Sequence, residues 1–211
     1  MNHATVAISG FSSEVGKTSL MCELLRALPG WEAIKMTRGH YRSCGKDPHA
    51  CCVSHLLSDE PVIRSGRAQT YTRGKDTGRY WDAGASNVHW VIVTDNQVEK
   101  GIKLAFDRVQ ATGVLIEGNS FLNFIDVDFA IMVARAGSSK VKTSARRVLS
   151  KSTALYLFND NKTLSLPDGF VLWHKNFADK NHINNLPVYT RDTLSQLISR
   201  VRAIHSTSEK Q

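Results

Sequence analysis

The sequence predicts an α/β fold with a mainly parallel central sheet flanked by helices. Three observations carry this expectation. Short apolar, β-branched runs alternate with segments of helical apolar spacing, the pattern of strand–helix–strand units. A Gly-Lys-Thr turn joins the first such run to the first helical segment. The 211 residues are enough to bury about 70% of the extended-chain surface, so no disulfide scaffold is required.

The elements follow in order. Ala4 to Ser9 reads as a buried strand ending at Gly10. Lys17 to Leu28 places Leu20, Met21, Leu24, Leu25 and Leu28 on one helical face, and Pro29-Gly30 ends it. Trp31 to Met36 is a second strand. From Thr37 to about Arg79 the pattern is irregular, polar and basic, with one short helix through Val53, Leu56 and Leu57; loops this long in a compact domain usually serve function. Val88 to Thr94 is a strand, Val98 to Thr112 a helix, and Gly113 to Glu117 a strand. Strands are expected at Phe129 to Ala134 and Ala154 to Asn159, with a basic helix at Lys140 to Ser150 between them. Val171 to Trp173 and Pro187 to Thr190 are short strand candidates, and Thr193 to Ile204 is a closing helix. The expected organisation is one domain over residues 1–205, with a basic Cys/His-rich insertion at about 37–75 and a loose tail at 206–211.

Composition narrows the function. An apolar share of 42% and a charged share of 22% exclude a disordered or collagenous chain. No apolar run approaches the ~18 residues a membrane span needs, and residues 1–10 lack a basic leader or cleavage site. No membrane partner and a cytoplasmic location are expected. The net charge is +8, and it is unevenly placed. Between Lys35 and Arg79 nine basic residues face four acidic ones. Such a field suits a phosphate-bearing ligand or an acidic partner. Nucleic acid is not expected, because no aromatic-interleaved basic stretch or zinc-finger spacing accompanies the charge.

The chemistry concentrates in Gly10-Phe11-Ser12-Ser13-Glu14-Val15-Gly16-Lys17-Thr18-Ser19. Between a strand and a helix, successive backbone N–H groups of such a loop converge on a phosphate, and the helix N-terminus adds partial positive charge. Gly16 lets the backbone approach closely. Lys17 can reach the β- and γ-phosphates, and the Thr18 hydroxyl can bind Mg²⁺. The expected ligand is GTP or ATP with Mg²⁺, held by Gly10, Ser12, Ser13, Glu14, Val15, Gly16, Lys17, Thr18 and Ser19. Five residues lie between Gly10 and Gly16, one more than in the usual loop. Ser13-Glu14-Val15-Gly16-Lys17-Thr18 resembles the longer loop of dethiobiotin synthetases.

Glu117 ends the apolar run Gly113-Val114-Leu115-Ile116. A carboxylate at a strand's C-terminal end sits where α/β sheets place their ligands and can bind Mg²⁺; a capping or salt-bridged carboxylate is the plainer alternative. Asp95 competes for the same role more weakly, and Asp126 and Asp128 read as loop residues. Asn159, at another strand end, can bond a purine edge or simply make a turn. Lys140, Lys142, Arg146, Arg147 and Lys151 form a basic patch, read as a solvated face or as a docking surface for an acidic partner.

A longer resemblance runs through the first half of the chain. Gly74-Lys75-Asp76-Thr77-Gly78-Arg79-Tyr80-Trp81-Asp82-Ala83-Gly84-Ala85 resembles a block of the molybdopterin-guanine dinucleotide biosynthesis adaptor family, MobB. Ile34-Lys35, followed by His40, and Val114-Leu115-Ile116-Glu117-Gly118 resemble two further landmarks of that family. The resemblance implies a P-loop protein that hydrolyses nucleotide slowly and assists a molybdenum-cofactor maturation enzyme. It also implies that Asp76 and Arg79 line the phosphate face and that Glu117 lies beside the metal. Lys17, Glu117 and Asp76 are thus the expected catalytic set, and a homodimer is one expected assembly. The family's Glu-Gly-Phe-Lys stretch is here Glu117-Gly118-Asn119-Ser120.

One segment falls outside that resemblance. His40, Cys44, His49, Cys51, Cys52 and His55 crowd into 16 residues. Thiolate and imidazole together suit Zn²⁺ or another thiophilic transition metal, with Cys44, Cys51, Cys52 and His55 as candidate ligands. The spacing matches no standard zinc signature, and small buried cysteines beside surface histidines are the bland alternative. A nucleotide-dependent protein with such a segment resembles the nickel-insertion proteins of hydrogenase and urease, which makes a metallocentre maturation enzyme the second expected partner. A dethiobiotin synthetase-like ligase is the third expectation.

Overall fold

A computed structural model of the chain describes residues 3–40, 53–135, 141–158 and 186–208. Its frame is an eight-stranded sheet: β1 (Ala4–Gly10), β2 (Glu32–Arg38), β3 (Val62–Ser65), β4 (Val88–Val93), β5 (Gly113–Glu117), β6 (Phe129–Arg135), β7 (Ala154–Phe158) and β8 (Val188–Tyr189). The strand order is β3-β4-β2-β5-β1-β6-β7-β8. Every pairing is parallel except β3 with β4. The predicted α/β class is therefore the observed one.

Burial on both faces explains the run-like strand sequences. β1 is buried throughout, and β5 likewise. Alternate residues feed two separate cores. One face gathers Val6, Ile8, Ala33, Leu115, Ile131 and Val133 beneath α1 (Lys17–Ala27) and α6 (Leu194–Ser208). The other gathers Ala7, Ile34, Val91, Val114, Ile116 and Met132 beneath α4 (Val98–Phe106) and α5 (Thr143–Val148). In α1, Leu20, Met21, Leu24 and Leu25 are all buried, each contributing roughly 1.5–3 kcal/mol relative to exposure.

Several boundaries differ from expectation for physical reasons. The helix expected to reach Thr112 stops at Phe106. Beyond it, the Glu32 carboxylate accepts the N–H groups of Gln110 and Ala111 at 3.0 and 2.9 Å, which fixes a non-helical turn. The expected Lys140–Ser150 helix is α5, followed by a 3-10 turn over Leu149–Lys151. The irregular stretch after Thr37 holds more structure than its composition suggests. It contains β3, a short α2 (Arg67–Thr70) and α3 (Asp76–Asp82). α3 runs through Gly78, where a Cβ would lie 2.1 Å from the Thr72 carbonyl oxygen. That glycine disguises a helix in the sequence yet is required by its packing. The expected strand at Val171 to Trp173 lies outside the described residues.

Among the described residues, no helix is long and apolar enough to cross a membrane.

Candidate functional site

The site lies at the C-terminal end of the parallel strands, where β1 sits between β5 and β6. β1 ends at Gly10, and residues 11–16 turn back to start α1. Glu14 (φ 60°) and Gly16 (φ 101°) hold left-handed backbone within this turn. At Gly16 a Cβ would meet the Phe158 ring at 2.5 Å, so both dihedral and space call for glycine. Val15 faces the core and is buried; only its backbone belongs to the loop surface.

Five hydrogen bonds hold the loop. Asn119 Oδ1 accepts the Gly10 N–H, and its Nδ2 donates to the Gly10 carbonyl, both at 2.9 Å. The Lys142 N–H donates to the Phe11 carbonyl at 2.7 Å, and the Lys142 ammonium to Ser13 Oγ at 2.6 Å. Lys17 Nζ donates to the Ser12 carbonyl at 3.2 Å. Burial pulls the Lys17 ammonium below its ordinary pKa, and the charges of Lys35 and Lys142 add to this against Glu117 and Asp76.

Strand periodicity aims the carboxylate. Glu117 follows Leu115 by two residues and shares its face, which is the α1 face of the sheet. Thr18, at the first turn of α1, donates to Glu117 Oε2 at 3.1 Å. The buried Tyr80 hydroxyl of α3 donates to the same oxygen. Burial and then Glu117 push the Tyr80 phenol well above its ordinary value, so it stays a donor. Lys35, the register partner of Glu117 on β2, places Nζ 2.5 Å from Glu117 Oε1 and 2.7 Å from Asp76 Oδ2. Burial opposes the charge of Lys35, but Glu117 and Asp76 outweigh it and raise its pKa. Asp76 is likewise penalised by burial, yet Lys35 and the Thr18 hydroxyl bring its pKa down.

These groups line a cavity of about 400 Å³, within the range of small-molecule sites. Ser13, Glu14, Gly16, Lys17, Thr18 and Ser19 line it from the loop and α1, and Lys35, Asp76, Arg79 and Glu117 line it from β2, α3 and β5. Arg79 Nη2 reaches Ser19 Oγ at 3.4 Å. The oxygen donors Thr18, Asp76 and Glu117 are hard ligands of the kind Mg²⁺ takes. The Lys35 ammonium between the two carboxylates marks the position as one that holds positive charge.

The expected site residues therefore come together for Lys17, Thr18, Asp76, Arg79 and Glu117. Asp95 does not join them: its Oδ1 pairs with Arg38 at 3.2 Å. Asp128 accepts the Thr5 N–H at 2.7 Å, a structural bond. Asn159, Cys44, Cys51 and Cys52 lie outside the described residues. His55 is exposed on a 3-10 turn, Ser54–Leu56. Among the described residues, no group of three or more His, Cys, Asp or Glu side chains is placed to hold a metal ion.

Sequence reasoning gave no site role to Lys35, Tyr80, Asn119 or Phe158. For Lys35 a signal existed, since a charged residue at the end of an apolar strand marks a site in an α/β sheet. For Tyr80 and Phe158, apolar periodicity suggests core and nothing more.

No family model matches the chain, and no curated protein matches it in sequence. Among solved structures it is similar to a plasmid partition protein from Borrelia burgdorferi, with 11% identity and a TM-score of 0.40, over 100% of this chain and 99% of that one. A plasmid partition protein from Borrelia burgdorferi B31 bound to AMPPNP aligns with 8% identity and a TM-score of 0.44, over 98% and 99% of the two chains. The Zn(II)-bound triple mutant of the YjiA GTPase aligns with 18% identity and a TM-score of 0.46, over 90% of this chain but only 58% of that one.

Proposed function

We propose that the chain binds a nucleoside triphosphate, GTP or ATP, with Mg²⁺ in the 400 Å³ cavity and hydrolyses it slowly. The observation that carries this reading is the convergence of Lys17, Thr18, Asp76 and Glu117 around one cleft at a strand–loop–helix turn. In this reading the loop amides and Lys17 grip the β- and γ-phosphates. Arg79 faces the same phosphates from α3. Thr18, with Glu117 and Asp76, holds Mg²⁺, which when bound neutralises charge on the phosphate oxygens. Lys35 pairs with both carboxylates and orients them. Phosphoryl chemistry of this kind needs positioning and charge stabilisation more than covalent help.

The order of the loop, Ile34-Lys35, Gly74 to Ala85 and Val114 to Gly118 supports a MobB-like adaptor role, in which turnover is slow and a molybdenum-cofactor maturation enzyme is the partner. A second reading rests on the Cys/His segment at 40–55: a metal-handling nucleotidase for another metallocentre. Elemental analysis of untagged protein separates the two, since only the second expects bound Zn²⁺ or a related ion that is lost in a Cys44, Cys51, Cys52 triple serine variant.

The test of nucleotide binding is a titration with fluorescent, non-hydrolysable GTP and ATP analogues in the presence of Mg²⁺. Lys17→Ala should weaken binding by about a hundredfold, ~2.7 kcal/mol. Wild-type affinity in that variant would overturn the reading.

A further inference from the structure

Three side chains that the nucleotide reading leaves unused meet at the other end of the sheet. Glu32 opens β2, His89 is the second residue of β4, and Ser65 closes the antiparallel β3. All three therefore lie at the N-terminal end of the parallel strands, away from the cavity. Ser65 and His89 are register partners, and His89 is in register with Ile34 of the core beneath α4. His89 Nδ1 lies 2.8 Å from Ser65 Oγ, and its Nε2 lies 2.7 Å from Glu32 Oε2. Both contacts fall within the roughly 2.6–3.2 Å that joins a nucleophile to its base, and that base to the group orienting it. Such a set is recognised by geometry and role rather than by order along the chain.

The direction of these bonds is fixed from both ends. Glu32 Oε1 accepts the N–H groups of Gln110 and Ala111, which leaves Oε2 aimed at His89. A carboxylate only accepts, so in the neutral imidazole Nε2 carries the proton and Nδ1 turns its lone pair to Ser65. Asn87 Nδ2 is farther from Nε2, at 3.4 Å, so Glu32 decides the tautomer. At the outer end Arg108 Nη1 donates to Ser65 Oγ at 3.4 Å, which turns the hydroxyl's own proton toward His89. Among the described residues, the other contact of Arg108 is Nη1 to the Ile63 carbonyl at 3.0 Å. Its Nη2 and Nε donors are left for an oxyanion forming beside Ser65. His89 and Glu32 are buried, Ser65 is half-buried and Arg108 is exposed. Of the three linked groups, the nucleophile is the one that solvent reaches.

We propose that Ser65, His89 and Glu32 form a second active centre, independent of the nucleotide cavity, that cleaves a small carboxylic ester through an acyl-serine. Ser65 Oγ bonds to the acyl carbon as its proton moves to His89 Nδ1. The carbonyl electron pair rests on the oxygen beside Arg108. It then re-forms the carbonyl as the bond to the leaving alkoxide breaks, and His89 passes the proton to that alkoxide. Water reverses the exchange: it adds to the acyl carbon while giving a proton to His89, and Ser65 regains that proton as the carboxylic acid leaves. Glu32 touches no substrate and is a positioning residue, holding the imidazole in its basic tautomer.

The experiment treats the full, folded chain with a fluorophosphonate probe and locates the adduct by mass spectrometry. Labelling forms a bond from Ser65 Oγ to phosphorus, breaks the P–F bond, and releases fluoride and the hydroxyl proton. Ser65 should be labelled in folded protein and not in protein unfolded by urea. His89→Gln should slow labelling by about a hundredfold, with its folding checked by circular dichroism. In hydrolysis of p-nitrophenyl acetate, Glu32→Gln should lower kcat and leave KM unchanged. The proposal is overturned if the folded wild-type chain carries no adduct on Ser65, if unfolded protein labels as fast, or if folded His89→Gln labels at the wild-type rate. The three residues would then be only a structural tie among β2, β3 and β4. A wild-type kcat in Glu32→Gln would overturn the positioning role of Glu32. The first two outcomes need the wild-type chain alone, so they decide the matter even where a variant fails to fold.

Discussion

Lys35 and Glu117 are register partners on neighbouring parallel strands, and their charged atoms meet at 2.5 Å on the α1 face of the sheet. Their side chains are 17% and 3% exposed, so the pair is largely out of water. Removing one member of such a pair leaves the other uncompensated, which costs about 3–5 kcal/mol. Thr18 and Tyr80 still donate to Glu117, which places Lys35→Met near the lower end of that range. Urea unfolding should show it as a drop in midpoint without a change in slope. A variant as stable as wild type would mean that the pair is not formed in solution.

Thr18 separates metal from phosphate contributions. Its hydroxyl donates to Glu117 and is the helix-end oxygen that faces the cavity. Thr18→Ala should lose about tenfold in nucleotide affinity with Mg²⁺ present, ~1.4 kcal/mol, and almost nothing with EDTA. Thr18→Ser should behave as wild type in both. Equal losses with and without Mg²⁺ would remove Thr18 from the metal's coordination sphere.

The acid limb of stability has two named sources. Burial pushes the Asp76 carboxyl up, but Lys35 and Thr18 win, and it titrates below its ordinary 3.8. Glu32 is likewise opposed by burial and then carried below its ordinary 4.5 by His89 and the N–H groups of Gln110 and Ala111. A carboxylate with a depressed folded pKa stabilises above its unfolded value, and that contribution fades as pH falls through the folded one. Unfolding free energy should therefore fall below about pH 4.5. Glu32→Gln and Asp76→Asn should each flatten that decline while lowering stability at pH 7. Lys35 has the opposite sense: its pKa is raised above 10.5. Its contribution is complete below that value and is lost as pH climbs through the folded pKa. Urea titrations from pH 3 to 11 measure both limbs; an acid limb as steep in the two variants as in wild type would contradict the assignment.

How much of this was legible in the sequence follows from the range of each interaction. β1, the loop and α1 are contiguous, so local pattern and motif place Lys17 and Thr18 together. Glu117 was readable because its position at the end of an apolar strand suggests chemistry; which face it takes follows only from the folded sheet. Lys35 was not readable as its partner, because their contact depends on β2 lying beside β5 rather than beside β1, an order no local pattern encodes. Tyr80 was hidden for a different reason. Gly74 and Gly78 flank and interrupt its helix, and the close approach to Thr72 that demands Gly78 exists only after folding.

Gly16 offers the last test, because two separate penalties meet there. Its φ of 101° disfavours any side chain by roughly 1–2 kcal/mol or more. Its missing Cβ also leaves the space occupied by the Phe158 ring, 2.5 Å away. Gly16→Ala should therefore both lower the melting temperature and, on the proposed function, abolish measurable nucleotide binding, since any shift of the turn misaligns the amides proposed to grip the phosphates. Adding Phe158→Ala removes the collision but not the dihedral strain. The double variant should regain part of the lost melting temperature, while nucleotide affinity stays at least tenfold below that of Phe158→Ala alone. If affinity returns fully with the ring removed, then crowding by Phe158, and not the left-handed backbone, is what reserves this position for glycine.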